Sequence, residues 1–201
     1  MKKNYEKLSQ KYYDKIAGHF DFSISGFFSY PFKRLINHNL KLKNSDCLLD
    51  VGCANGRLLG LLGKQAEIIG TGIDISGEMI SIAKQKYPEY RFACASSEKI
   101  PFKNEQFDYI ICSASFHHFP DPVYFLNSIK RFLKADGRLI IAEINIPIFH
   151  SLYNDMIVSH SKEGDVKAYK TSELINLFQE NSFKILKKEI LFQIQYYELS
   201  L

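Results

Sequence analysis

The sequence predicts an α/β fold, a mostly parallel, doubly wound sheet of seven strands with helices on both faces and an antiparallel strand toward one edge. Three observations predict it. From residue 46 onward, short apolar runs alternate with segments of helical period, the pattern of strands joined by helical crossovers. Runs such as "FDYIICSA" (107–114) are apolar almost without a break, as strands buried on both faces are. The C-terminal "KILKKEILFQIQYYELSL" supplies two further strands, antiparallel at the sheet's edge.

Taken in order, "CLLDV" (47–51) is the first buried strand, and "GRLLGLLGKQ" continues it into a helix. "EIIGTGID" (67–74) is the second strand and ends on an acid. The helix after it opens at Ser76, a good N-cap, keeps Met79, Ile80 and Ala83 on one face, and stops near Tyr87-Pro88 with Lys84 and Lys86 in its last turn. "YRFACA" (90–95) and "FDYIICSA" are the third and fourth strands, with a loop carrying Pro101 between them. Asp121 caps the next helix and Pro122 fits its first turn, while Val123, Leu126, Ile129 and Leu133 recur at helical spacing. "ADG" (135–137) ends that helix and "RLIIAEIN" (138–145) is the fifth strand. "TSELINLFQENSF" (171–183) reads as a helix capped by Thr171 or Ser172. The order is that of a Rossmann-like sheet.

At 201 residues, 46% hydrophobic and 24% charged, the chain suits one domain with an ample core. Its parts are an N-terminal helical cap (1–45), a core (46–145), and a lid segment with a C-terminal helix and edge strands (146–201). The cap is dense in aromatics, among them Tyr12, Tyr13, Phe20, Phe22, Phe27, Phe28, Tyr30 and Phe32, which argues for packing on the sheet domain. A net charge of +4 with dispersed lysines makes no nucleic-acid footprint. Cys47, Cys53, Cys94 and Cys112 lack metal-ligand spacing and read as buried, reduced thiols of a cytoplasmic protein. No segment reaches the roughly 18 apolar residues of a membrane span, and no signal peptide is expected.

In open parallel sheets, ligands bind beyond the carboxyl ends of the strands, near the point where chain direction reverses. The unusual residues fall at such ends: Asp50 to Gly56, Asp74, Ser96 to Ser97, and Ser113 to His118. Gly52 and Gly56 either leave backbone N–H groups open to a closely approaching ligand or make a tight strand-to-helix turn without one. The dinucleotide fingerprint G-x-G-x-x-G is broken, with Ala54 and Arg57 at its later glycine positions. Asp74 ends the second strand about twenty residues past the turn, where a carboxylate accepts from both hydroxyls of a ribose.

In order and spacing, "LLDVGCANGRLLGLL", "GIDISGEMISIAKQK", "ASSEKIPFKNEQFDYIICSASFHHFPDP" and "IKRFLKADGRLIIAE" resemble the class I S-adenosylmethionine-dependent methyltransferases. Within that class the small-molecule branch of quinone-biosynthesis methyltransferases is most similar. The resemblance covers roughly 46–145, and "YYDKIAGHFD" looks like that branch's entry segment. It implies that Asp50, Gly52, Cys53 and Gly56 surround the methionine portion of S-adenosylmethionine and that Asp74 holds the ribose. Ile75 and Met79 then flank the adenine, Ser96 and Ser97 read its edge, Ser113 faces the amino group, and Tyr13 lies over the cofactor. The usual third glycine is missing, and Ser96 stands where an aspartate commonly accepts from the adenine amine, a weaker neutral acceptor.

Transfer from a sulfonium needs no protein nucleophile, and a base only where the acceptor must lose a proton. His117 and His118 are the candidates for that base, with a structural pair as the other reading. His19, His38, His150 and His160 show no metal spacing, so no metal is expected. Glu143, at the tip of the fifth strand, either touches the acceptor or is a solvated acid. The aromatic cap suggests an apolar or aromatic small-molecule acceptor. A nucleic-acid acceptor is disfavoured because "SASFHH" stands where an Asn/Asp-Pro-Pro-Tyr/Phe motif belongs. Two alternatives remain: a protein that binds S-adenosylmethionine without catalysis, and an NAD(P)-dependent oxidoreductase.

Overall fold

The computed structural model describes residues 4–102, 106–148 and 150–201. Residues 103–105 of the Pro101 loop and 149 of the lid lie outside the described residues, as do 1–3 of the cap.

The N-terminal segment folds as α1 (Tyr5–Ile16), a 3-10 stretch (Ala17–Phe22) and α2 (Ile24–Asn39). Each helix starts on a polar side chain that satisfies an otherwise orphaned N–H: Asn4 accepts from Lys7 N at 3.0 Å, and Ser23 from Gly26 N at 3.0 Å. The core then alternates β1 (Cys47–Val51), α3 (Arg57–Leu62), β2 (Ile69–Asp74), α4 (Gly77–Lys86), β3 (Arg91–Cys94), β4 (Phe107–Ser113), α5 (Pro122–Ile129) and β5 (Leu133–Ile144). A short α6 (His150–Tyr153) and a π turn (Asn154–Val158) precede α7 (Thr171–Glu180), β6 (Lys184–Leu191) and β7 (Ile194–Ser200).

The strands form one seven-stranded sheet in the order β3-β2-β1-β4-β5-β7-β6. β1 through β5 are parallel, and β7 inserts antiparallel between β5 and the outermost β6. Strand order therefore reverses between β1 and β4, which fixes where a ligand crevice belongs. Adjacent residues of one strand serve opposite cores, as the period of two requires. Leu49, Ile110, Ile141 and Tyr197 join one buried cluster with Phe125 of α5 and Phe178 of α7. Leu48, Ile111, Ile140 and Tyr196 join the other, with Ile36 of α2, Leu58 of α3 and Ile80 of α4.

The caps expected at Ser76 and Asp121 are present: Ser76 Oγ accepts from Met79 N at 3.1 Å, and Asp121 Oδ1 from Tyr124 N at 2.8 Å. Several expectations are corrected. β5 starts at Leu133, because α5 passes through a 3-10 turn (Lys130–Phe132) and Leu133 pairs with Phe107 before a register shift absorbs the residues up to Arg138. Thr171 is the first residue of α7 and not its cap; its hydroxyl bonds Gln195 Oε1 at 3.2 Å, while Glu173 reaches back to Lys170 N at 2.9 Å. Only Cys53 and Cys112 are buried, whereas Cys94 is exposed; all four thiols are free. Phe20 and Phe32 pack inward as the aromatic density suggested, yet Phe22, Phe27 and Phe28 face solvent. No helix among the described residues is long and apolar enough to cross a membrane.

Candidate functional site

At the carboxyl ends of β1, β2 and β4 lies a cavity of about 630 Å³, walled by α1, α2 and the lid segment. Of the residues singled out in the sequence, Tyr13, Gly52, Asp74, Ile75, Ser96, Ser97, Ser113, His117 and His118 line it. Asp50, Cys53, Gly56 and Met79 do not; they stand behind its wall, all buried. Met79 packs with Ile16, Ala17 and Phe20 and so docks the cap onto α4. Cys53 joins the cluster beneath α3.

Of the two readings of the glycine turn, the described hydrogen bonds favour the tight strand-to-helix turn over open N–H groups. Gly52 N and Cys53 N both donate to Ile73 O, at 2.8 and 2.9 Å, Gly56 N donates to Cys53 O at 3.0 Å, and Ala54 N donates to Asp74 Oδ2 at 2.8 Å. These donors lock the turn to β2 and are spent before any ligand arrives. The glycines answer a backbone need instead. Gly52 and Gly56 have φ of 79° and 77°, and a Cβ on Gly52 would stand 2.5 Å from Ser115 Cβ. Ser115 itself is fixed by donating to Val51 O at 2.8 Å, so β1 and β4 approach closely at this tip.

Charge at the site is unusually buried. Burial pushes the Asp74 carboxyl up from its ordinary range, against the pull of the Ser76, Ala54 and Ile75 N–H groups. Asp74 Oδ1 takes the Ser76 N–H at 2.9 Å, which aims the carboxylate along the cavity wall. Asp50 is 1% exposed, its Oδ1 has no hydrogen-bond partner, and burial raises its carboxyl to about 7 against the attraction of Lys33. Lys33, on α2, is 5% exposed and lines the cavity; burial lowers its ammonium to about 8, and its Nζ donates to Ser29 Oγ at 2.8 Å. Ser113 Oγ is also buried without a partner. Buried polar atoms left unsatisfied are uncommon and mark places where a ligand completes the bonding. Lys33 was missed in the sequence, although a lysine flanked by Phe32, Leu35 and Ile36 within an apolar helical stripe was a legible sign.

The far wall holds the histidine pair. Glu143 is no solvated acid: 1% exposed, it accepts from Phe116 N at 2.8 Å, Ile144 N at 3.1 Å and His117 Nδ1 at 2.8 Å. Burial pulls the His117 imidazolium down, but Glu143 and Asp165 outweigh it and raise it to about 9. His118 goes the other way, to about 4, through burial and the neighbouring His117. Asp165 comes from the lid, where sequence spacing gave no hint of it. Its Oδ1 lies 3.5 Å from His117 Nε2 and 3.1 Å from His118 Nδ1. Tyr13 Oη is 3.1 Å from His118 Nε2 and donates to Glu163 Oε2 at 3.4 Å, while Ser25 Oγ donates to Glu163 Oε1 at 3.1 Å. Glu163 thus ties α1, the start of α2 and the lid together over the cavity.

A carboxylate for a vicinal diol, a buried Lys–Asp pair with spare bonding capacity and an apolar remainder fit an amino-acid-bearing nucleoside. Comparison with known proteins leads to the same class. Residues 49–141 match the protein family described as "Methyltransferase domain". The chain is 30% identical over 163 residues to a ubiquinone/menaquinone biosynthesis C-methyltransferase from Geotalea daltonii, covering 74% of this chain and 69% of that protein. It is 31% identical over 116 residues to a ubiquinone biosynthesis O-methyltransferase from Coxiella burnetii, covering 56% of this chain and 49% of that one. The chain spans about half the length of several curated relatives that it matches, with 54% and 49% of two of them covered. In fold it superposes on a SAM-dependent methyltransferase from Aquifex aeolicus with a TM-score of 0.68 at 19% identity, covering 98% of each chain. On the strength of the Geotalea relative and the motifs that run from β1 to β5, the chain belongs to the class I S-adenosylmethionine-dependent methyltransferases.

Proposed function

We propose that this protein binds S-adenosylmethionine in the cavity and transfers its methyl group to a small apolar or aromatic acceptor. One observation carries the reading: Lys33 of α2, Ser113 and Asp74 line one cavity with Asp50 buried behind its wall, and Asp50 Oδ1 and Ser113 Oγ have no hydrogen-bond partner. Asp74 accepts from the ribose hydroxyls, using lone pairs that the Ala54 and Ser76 N–H groups leave free. Lys33 faces the carboxylate of the methionine portion and Ser113 its ammonium, on which the Asp50 carboxyl acts from behind the wall. Ile75 borders the adenine, with Ser96 and Ser97 at its edge; Met79, Cys53 and Gly56 support the site from behind. Bound S-adenosylmethionine supplies an electrophilic methyl group and a neutral thioether leaving group, so the chain's main task is to hold the acceptor in line.

The acceptor's place is the remaining cavity between Phe28, Phe32, Tyr153 and the histidine pair, where aromatic side chains offer apolar contacts and His117 and His118 the polar ones. The four free thiols fit a reducing cytoplasm, and we place the enzyme there.

A thermal-shift panel tests the reading, since a ligand that binds only the folded state raises its stability by about 2.7 kcal/mol at a hundredfold excess over Kd. S-adenosylmethionine and S-adenosylhomocysteine are expected to raise Tm, and NAD and NADP to leave it unchanged. Stabilisation by NAD or NADP alone overturns the assignment. Binding with no transfer across phenolic and quinol acceptors favours a protein that only holds the cofactor.

A further inference from the structure

Among the described residues, His117, His118 and Asp165 are the one group of such side chains whose donor atoms lie within 4.8 Å of one another. We infer that these three residues form a binding site for a divalent transition-metal cation of the zinc type, in the wall of the acceptor cavity.

Both histidines have one ring nitrogen committed and the other turned toward Asp165. Glu143 accepts only, so at 2.8 Å it holds the Nδ1–H of His117 and leaves Nε2, toward Asp165, as the atom that gives up its proton to a metal. A metal-bound histidine almost always has this arrangement, its second N–H given to a carboxylate that sets tautomer and ring orientation. Glu143 is itself anchored by the Phe116 and Ile144 N–H groups at 2.8 and 3.1 Å. On His118, Tyr13 plays the corresponding part. Its hydroxyl donates to Glu163 Oε2 at 3.4 Å, so its oxygen receives the Nε2–H of His118 across 3.1 Å. That leaves Nδ1, a buried atom 3.1 Å from Asp165 Oδ1, as the nitrogen available to a metal.

Three potential ligand atoms therefore converge: His117 Nε2, His118 Nδ1 and Asp165 Oδ1. The carboxylate oxygen lies 3.5 and 3.1 Å from the two nitrogens. Metal–ligand bonds of about 2.0–2.2 Å at octahedral or tetrahedral angles put neighbouring donors about 2.8–3.6 Å apart, so both carboxylate–imidazole spacings suit a shared ion. The ligands are also held. Val166 N donates to His117 O at 2.9 Å, which pins the lid residue beside Asp165 to the turn that carries the histidines. Two imidazoles and one carboxylate leave coordination positions open, as a reactive metal site must, and all three residues line the cavity. The metal's part in transfer, holding an acceptor oxygen and acidifying its proton, rests on the cavity being the acceptor site; the ligation does not.

The test uses the full chain, stripped with a chelator and titrated with Zn²⁺ by calorimetry and with Co²⁺ by visible absorption. The expected result is one equivalent bound, with cobalt bands of nitrogen and oxygen ligation. Asp165→Asn and His118→Gln should each weaken Zn²⁺ binding at least about tenfold, and Glu143→Gln by about 10–100-fold through the loss of His117 orientation. Absence of a bound equivalent, or binding equally tight in Asp165→Asn and His118→Gln, overturns the site. S-adenosylhomocysteine titrated into the same samples keeps the two readings apart, and a circular dichroism spectrum and cooperative thermal unfolding like those of the native chain certify that each variant is folded. Zn²⁺ bound without S-adenosylhomocysteine removes the cofactor assignment and leaves the metal site, whereas the reverse removes the metal alone.

Discussion

At the scale of single residues, Gly52 shows how the backbone decides between two readings of one motif. Its position in "DVGCANG" marks the strand-to-helix turn, and the turn is there. The reason for glycine is its φ of 79° and the 2.5 Å approach of a would-be Cβ to Ser115, while its N–H is already spent on Ile73. Gly52→Ala is therefore expected to destabilise the fold by about 1–3 kcal/mol, from left-handed strain plus a contact with a side chain that is itself hydrogen-bonded. Urea unfolding should show a lower midpoint at unchanged slope. A loss below about 0.5 kcal/mol would mean that β1 and β4 relax apart at no cost, contrary to this account. Lys33 and Asp165 mark the opposite case. Neither sits in a motif, and they join the site only because α2 and the lid fold over the strand tips.

Elements carry the next level of dependence, and the junction of cap and core depends on Asp21. Its carboxylate takes Lys86 Nζ at 2.9 Å, Asn55 Nδ2 at 3.0 Å and Arg57 at 3.3 Å, so the 3-10 stretch is tied to the glycine turn, α3 and α4 at once. Burial works to raise its carboxyl, but Lys86, Asn55 and Arg57 together hold it below the usual range. A carboxyl depressed in the folded state stabilises above its unfolded pKa, near 3.8, and loses that contribution as pH falls through the folded value. Asp21→Asn should accordingly cost about 1 kcal/mol at pH 7, the modest figure of a part-exposed ion pair, with the difference from the native chain shrinking as pH drops below 3.8. Chemical denaturation at neutral and acid pH checks this, and a gap that widens on acidification would contradict it. Elements with strong periodicity, such as β1, β4 and α4, were legible in the sequence because burial on one or both faces leaves a plain apolar pattern. The start of β5 was not. A register shift against β4 let Leu133 enter the sheet although its spacing continued the helical series of α5, and tertiary pairing outweighed local period.

On the scale of the whole molecule, the order of strands sets the site, since a parallel sheet whose strand order reverses between β1 and β4 leaves a crevice at the carboxyl ends. That crevice could be expected from the motifs alone, because Asp74, Ser96 and Ser113 each end a strand. Its closure could not be. The roof consists of α1, α2 and residues 150–168, joined by Glu163, and these segments have no motif that names their partners. The same gap explains why a lone His-His pair suggested a base and no metal: its third partner lies in the lid, distant in sequence. The central claim is that Asp74 and the polar atoms around it form a seat for S-adenosylmethionine. Calorimetric titration of S-adenosylhomocysteine into the native chain and into Asp74→Ala tests it most directly. The account predicts one equivalent bound by the native chain and at least about tenfold weaker binding by the variant, the loss of one charged hydrogen-bonding partner being worth about 1.5–3 kcal/mol. Equal affinity in the two, or no binding to the native chain, would contradict it.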